Sequence, residues 1–263
     1  MRIIVCVKQV PDTNEVKINR ETGTLIRDGV PSIINPDDKN AIEEAIRIKE
    51  TNKDVRVTIL SMGPPQAANA LREAIAMGAD DAILLGDRAF AGSDTWATAT
   101  ILAAALRKIG AYDLIFCGRQ AIDGDTAQVG PEIAEFLDLP QITYAKQLNI
   151  KGDTVFAHRS TEDGHFEMEC KMPVLVTTIK ELNTPRYPHM RGIYKAFSEE
   201  ANITNWTMED IEVDRTQIGV KNSPTNVYKS FVPVKEFHCE KHNGSPKELA
   251  DLFVTELMSQ KLI

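Results

Sequence analysis

The sequence predicts an α/β fold: a mostly parallel, Rossmann-like sheet flanked by helices, with a small antiparallel part and an extended C-terminal arm. Three observations predict it. In the first half of the chain, short continuous apolar runs rich in β-branched residues alternate with segments of helical periodicity. Strands that are apolar on both faces belong to parallel sheets covered by helices. After Pro140 the texture changes to alternating segments joined by Lys151-Gly152-Asp153 and Glu162-Asp163-Gly164, which reads as antiparallel pairing.

Residues 2–8 (RIIVCVK) form the first buried strand. Residues 16–26 read as a small hairpin around Glu21-Thr22-Gly23. Asn35-Pro36-Asp37-Asp38 opens a helix: Asn35 suits the cap, Pro36 the first turn, and the two acids the positive end of the helix dipole. Ala41, Ile42, Ala45, Ile46 and Ile48 give that helix its apolar face. The pattern then repeats: strand 55–60 and helix 66–77, strand 82–85 and helix 95–109 capped at Ser93 or Asp94, strand 114–117 and helix 131–137. Segments 142–150, 154–159 and 165–171 are the antiparallel strands, and 174–179 is one more buried strand returning to the main sheet. Beyond residue 180 periodicity fades, although 247–258 suits a final helix. The scattered Tyr187, Ile193, Phe197, Trp206, Val227 and Phe231 leave two readings, a disordered tail or an arm packed on another subunit. The aromatic residues favour the arm. The expected division is therefore 1–183 for the nucleotide-binding domain and 184–263 for the arm.

Composition narrows the function. A net charge of −8 argues against a nucleic-acid or membrane-surface partner. No apolar run reaches the ~18–20 residues that span a bilayer. The N-terminus begins as a strand rather than a signal peptide, so a cytoplasmic protein is expected. Cys6, Cys117, Cys170 and Cys239 are far apart and read as ordinary reduced thiols, and the five histidines form no evident ligand cluster, so no metal is expected.

The chemistry concentrates in Cys117-Gly118-Arg119-Gln120-Ala121-Ile122-Asp123-Gly124-Asp125-Thr126-Ala127-Gln128-Val129-Gly130-Pro131, a long loop leaving a parallel strand, where open α/β sheets bind ligands. The first strand's loop has no glycine, and no GxxxxGK[ST] run exists, so the usual dinucleotide fingerprint and a phosphate loop are both absent. Instead Gly118 permits close approach to a ligand, Asp123-Gly124 suits a tight turn, and Pro131 in the first helical turn leaves the amides of 126–130 free for phosphate. Thr126 and Gln128 add side-chain donors, and Arg119 a cation. Asp123 and Asp125 would repel phosphate. They are expected to accept from ribose hydroxyls or backbone amides, or simply to cap the turn. Met62 and Gly63 end the second strand. Asn35 to Asp38 lie near the end of the first strand, within reach of adenine or ribose. Asp94 and Thr95 start a helix, where Asp94 serves equally well as a cap.

The loop, together with VCVKQVPDT, NPDDKNAIEEA, SMGPPQA, AMGADDA and KELNTPRY, closely resembles the electron transfer flavoprotein beta subunit, in the same order across nearly the whole chain. The resemblance implies a heterodimer with an alpha subunit and a C-terminal arm embracing it. It implies an adenine nucleotide held by Cys6, Asn35, Asp37, Asp38, Met62 and the loop residues Gly118 to Val129. DGDTAQVG, Asp37-Asp38 and Asp94-Thr95 look like the electron-bifurcating branch, where that nucleotide is FAD; in the other branch it is a structural AMP. The bifurcating branch implies NADH as donor, a flavin-dependent dehydrogenase as partner, and ferredoxin or flavodoxin as acceptor of the strongly reducing electron. No side chain of this chain is expected to act as an acid or base, and Cys6 and Cys117 are expected to be wall residues. Leu182, Pro185, Arg186 and Tyr187 match the family's loop for docking the dehydrogenase, with an exposed Leu182 as anchor, unless the loop packs on its own domain. A nucleotide-binding regulatory or adenylating protein of similar fold is the rival from another class.

Overall fold

A computed structural model of the chain describes residues 1–12, 17–18, 25–26, 31–228 and 239–263. Two compact units are present, Met1–Tyr228 and Lys229–Ile263. The boundary expected at residue 183 falls inside the first unit.

The first unit is built on a nine-stranded sheet. β1 (Arg2–Cys6) lies in its interior, parallel to β6 (Arg56–Met62) on one side and to the central strand β8 (Leu114–Gly118) on the other. β7 (Asp81–Leu85) continues parallel beyond β6, and β12 (Val174–Thr178) beyond β8, as the apolar run of 174–179 predicts. β9 (Gln141–Lys151) runs parallel to β12, then pairs antiparallel with β10 (Thr154–Thr161), and β10 with β11 (Gly164–Lys171). The antiparallel part is thus an extension of the main sheet. Two small pairs lie outside it: β2 (Gln9–Pro11) with β5 (Ser32–Ile34), and β3 (Lys17–Ile18) with β4 (Leu25–Ile26). The second is the expected hairpin, whose turn lies outside the described residues.

Period-2 alternation sends Ile3, Val5 and Val7 to one face of the sheet and Ile4 and Cys6 to the other. α1 (Pro36–Thr51) and α2 (Ala68–Met77) cover the first face, where Ile42, Ala45 and Leu71 share one buried cluster with Phe116 and Val176. α3 (Thr95–Ile109) and α4 (Val129–Phe136) cover the second, with Ile101, Leu106 and Ile133 over Leu60, Ile115 and Leu175. The chain moves outward from β1 through β6 to β7, then returns to β1's other side at β8. The crevice at the carboxyl ends of β1 and β8 is therefore the topological switch point, the place where such sheets take ligands.

Residues 190–228 pack on this same unit. α5 (Met190–Phe197) lies on α2, so close that a Cβ on Gly192 would stand 2.1 Å from the Ala76 carbonyl oxygen. β13 (Ile203–Trp206) adds a parallel edge strand to β7. Ile211 and Ile218 are buried in the second core. These pieces are short and their apolar residues irregularly spaced, so sequence periodicity does not reveal them. In the second unit, α6 (Pro246–Ser259) matches the expected final helix, started by a Ser245–Glu248 capping box. No described helix is long and apolar enough to cross a membrane.

Candidate functional site

The switch-point crevice is assembled around Asp38, on the first turn of α1. Its carboxylate accepts the Lys8 amide at 2.7 Å, the Gly118 amide at 3.0 Å and the Asn35 side-chain amide at 3.0 Å. One buried group thereby ties the ends of β1 and β8 to the start of α1. Burial pushes the Asp38 carboxyl up to about 7, against the opposing pull of these donors.

Asn35 extends the network. Its Nδ2 also donates to the Gln120 carbonyl at 2.8 Å, and its Oδ1 accepts the Ile122 amide at 3.1 Å. The expected side-chain cap is thus corrected: Asn35 occupies the cap position of α1 but makes no capping bond, because the Oδ1 that would accept it is spent on the Ile122 amide of the loop after β8. Gly118 has a structural reason of its own. A Cβ there would meet Asp38 Oδ1 at 2.2 Å, so it is the start of α1 that requires glycine.

The two awkward carboxylates find protein partners. Lys8 Nζ lies 2.7 and 2.9 Å from the oxygens of Asp123, and Gln120 Nε2 donates to Asp125 at 2.8 Å. Asp37 pairs with Arg119 Nε at 3.4 Å, and burial raises its carboxyl while Arg119 opposes the rise. Lys8 and Glu132 are site residues that sequence reasoning missed. The only signal for Lys8 was its place at the end of the first strand.

Between these fixed points the loop keeps its donors. Asp125 and Ala127 adopt left-handed φ values of 48° and 53°, and Gln128 returns to φ −102°, ψ −38°. Backbone that alternates hand in this way turns successive N–H groups toward one point, an anion-binding nest. Among the described residues, no protein acceptor takes the amides of 126–130. α4 begins at Val129, two residues earlier than expected, so its unpaired first-turn amides adjoin the nest. Arg119 Nε and Glu132 Oε2 are buried without a hydrogen-bond partner. Burial raises the Glu132 carboxyl, and the Thr95 hydroxyl reaches both Glu132 Oε1 at 3.2 Å and Gln128 Oε1 at 3.1 Å.

The remaining expected residues lie at the edges. Cys6 and Cys117 are in register on adjacent strands, buried, and facing the second core. The Cys6 thiol and burial together push the Cys117 thiol well up, which disfavours a reactive thiolate. Met62 ends β6 against the second core, and the Gly63 amide is spent on the Leu85 carbonyl. Asp94 caps α3 through the Ala97 amide and holds the amide and hydroxyl of Thr225. Burial raises its carboxyl, but these bonds outweigh it and hold the group below its ordinary range.

The 182–187 loop is strapped to α1. Asn183 exchanges bonds with Asn40, and Arg186 bridges Glu43 and Glu50. Leu182 and Pro185 are half-buried, which corrects the expectation of an exposed Leu182, whereas Tyr187 is 94% exposed.

Gly124 differs from Gly118 and Gly130. A Cβ at Gly130 would meet Thr177 Cγ2 at 2.7 Å, whereas nothing lies within 4 Å of one at Gly124. Gly124→Val should therefore leave the unfolding midpoint unchanged while depleting any nucleotide held against the loop. Full nucleotide retention would place the ligand elsewhere.

Comparison with known proteins identifies the family. The electron transfer flavoprotein domain family matches residues 22–210. The chain is 56% identical over 263 residues to the electron transfer flavoprotein subunit beta of Thermoanaerobacterium thermosaccharolyticum, and 54% identical over 263 residues to that of Clostridium acetobutylicum. It is 50% identical over 264 residues to the caffeyl-CoA reductase-Etf complex subunit CarD of Acetobacterium woodii. Each alignment covers 100% of both chains. The fold, the switch-point loop and this similarity along the full length lead to one conclusion: the chain belongs to the electron transfer flavoprotein family, as a beta subunit.

Proposed function

We propose that this beta subunit binds FAD at the switch-point loop and works in a bifurcating complex with an alpha subunit. The observation that carries the reading is the run of amides at 126–130 without protein acceptors, beside an Arg119 Nε that is ion-paired with Asp37 but makes no hydrogen bond. Such donors fit a pyrophosphate. Asp123 and Asp125 do not oppose it, because Lys8 and Gln120 already engage them. The Glu132 Oε2 left without a donor fits a ribose or ribityl hydroxyl. The residues present therefore suit the group. When bound, the flavin supplies the electron-transfer chemistry, and the protein supplies binding, orientation and electrostatics. Asn35 and Asp38 fix the loop, and the Cys6–Cys117 pair walls the crevice.

One observation favours FAD over AMP: the space around Gly124 is open, which leaves room for the larger ligand. Denatured extracts of the copurified heterodimer should yield two FAD. One FAD plus one AMP would replace this reading with the carrier type, and absence of any adenine nucleotide would end both.

The same reading makes NADH the donor, ferredoxin or flavodoxin the low-potential acceptor, and a flavin-dependent dehydrogenase the other partner. NADH oxidation by the purified complex should require both acceptors together. The 182–187 loop is the proposed dehydrogenase contact, with residues 229–263 contributing to the hold on the alpha subunit. The straps from Asn183 and Arg186 to α1 pre-organise that loop. Leu182→Ala should raise KM for the dehydrogenase roughly tenfold, the scale of a docking anchor, with flavin content unchanged. Loss of flavin would contradict a docking role.

A further inference from the structure

The outermost hairpin of the sheet brings His158 of one strand against His165 and Glu167 of the other. β10 and β11 pair so that His158 faces Glu167 and Ser160 faces His165. His165 therefore stands diagonal to His158, within side-chain reach. Val155, Ala157, Met168 and Cys170 take the core face of these strands, so His158, His165 and Glu167 project from the other. One ligand atom from each lies within 4.8 Å of the others. The imidazoles stack at 4.4 Å with 16° between planes, and His158 Nε2 is 3.9 Å from Glu167 Oε1. Among the described residues, no hydrogen bond engages either imidazole.

We propose that His158, His165 and Glu167 form a binding site for a divalent cation of the zinc class, with two imidazoles, one carboxylate and a position left to water. This donor set suits zinc and its borderline neighbours and is poor for calcium or magnesium. Tetrahedral zinc places its ligand atoms roughly 3.3 Å apart. His165 and Glu167 are exposed and can close that distance by side-chain rotation, which opens the ring stack. The backbone need not move, because eight register pairs lock β10 to β11. Bound metal would clamp β11, the edge strand, to its neighbour. The expectation of no metal came from sequence spacing alone; the cluster exists only once the hairpin register is known.

The test is calorimetric titration of the chelator-stripped, full-length protein, copurified with its alpha subunit, with zinc chloride. One equivalent should bind. His158→Ala and His165→Ala should each weaken it roughly tenfold or more, and Glu167→Gln should weaken it less. Cys239→Ser should leave that equivalent intact. Failure to bind zinc, or binding that survives both histidine substitutions, would overturn the proposal.

Discussion

Gly118→Ala should destabilise the first unit by more than about 4 kcal/mol, the range of a buried steric clash with no route of relief. The new Cβ would stand 2.2 Å from Asp38 Oδ1, 2.8 Å from Asp38 N and 2.9 Å from the Asp37 carbonyl carbon. Two of these are main-chain atoms, so no rotamer change relieves the contact. Gly118 is not among the residues of positive φ, so the effect is purely one of space. β8 would have to withdraw from α1 and break the Gly118 amide bond to Asp38. Urea unfolding should show a much lower midpoint than the wild type. A midpoint within experimental error of wild type would mean that β8 and α1 do not meet as described.

Asp38→Asn should cost about 3 kcal/mol and deplete the nucleotide. All three groups facing this carboxylate are donors: the amides of Lys8 and Gly118 and the side chain of Asn35. Asparagine keeps the shape but turns a donor toward one of them, leaving a buried N–H unpaired at about 1–3 kcal/mol and adding a repulsive contact. The loosened Asn35 then releases Gln120 and Ile122, and with them the geometry of the nest. The pH dependence separates this role from simple packing. The carboxyl stands at about 7 in the folded protein against an ordinary 3.8. The folded state therefore holds a proton that the unfolded state has already released across that interval. Its contribution is full below pH 4 and declines as the pH rises toward 7. Wild-type stability should fall between about pH 4 and 7 relative to Asp38→Asn and level off above that, and parallel profiles would contradict the buried, proton-holding carboxyl.

Local patterns made much of the fold legible. α3 runs over Thr95–Ile109 as its apolar period and its Asp94 cap require. α1 starts at Pro36 because proline suits that turn. The site's position followed from a glycine-punctuated loop after a buried strand. What the sequence withheld is long-range. Nothing local links Lys8 to Asp123, or Asp38 to Gly118, since those pairs exist only after β1 and β8 become neighbours. The contribution of residues 190–228 to the first unit was hidden for a related reason. Gly192 and Ala196 face α2 while Met190, Tyr194 and Phe197 face outward, an inversion of the usual amphipathic rule.

In the proposed function the unspent amides of the loop after β8 grip the pyrophosphate. Hydrogen–deuterium exchange of the heterodimer, nucleotide-loaded against nucleotide-stripped, tests this most directly. Loading should slow exchange of the amides at 126–130 by roughly tenfold or more, because they gain acceptors, while β10 and β11 exchange as before. Equal exchange at 126–130 in both forms would contradict the account.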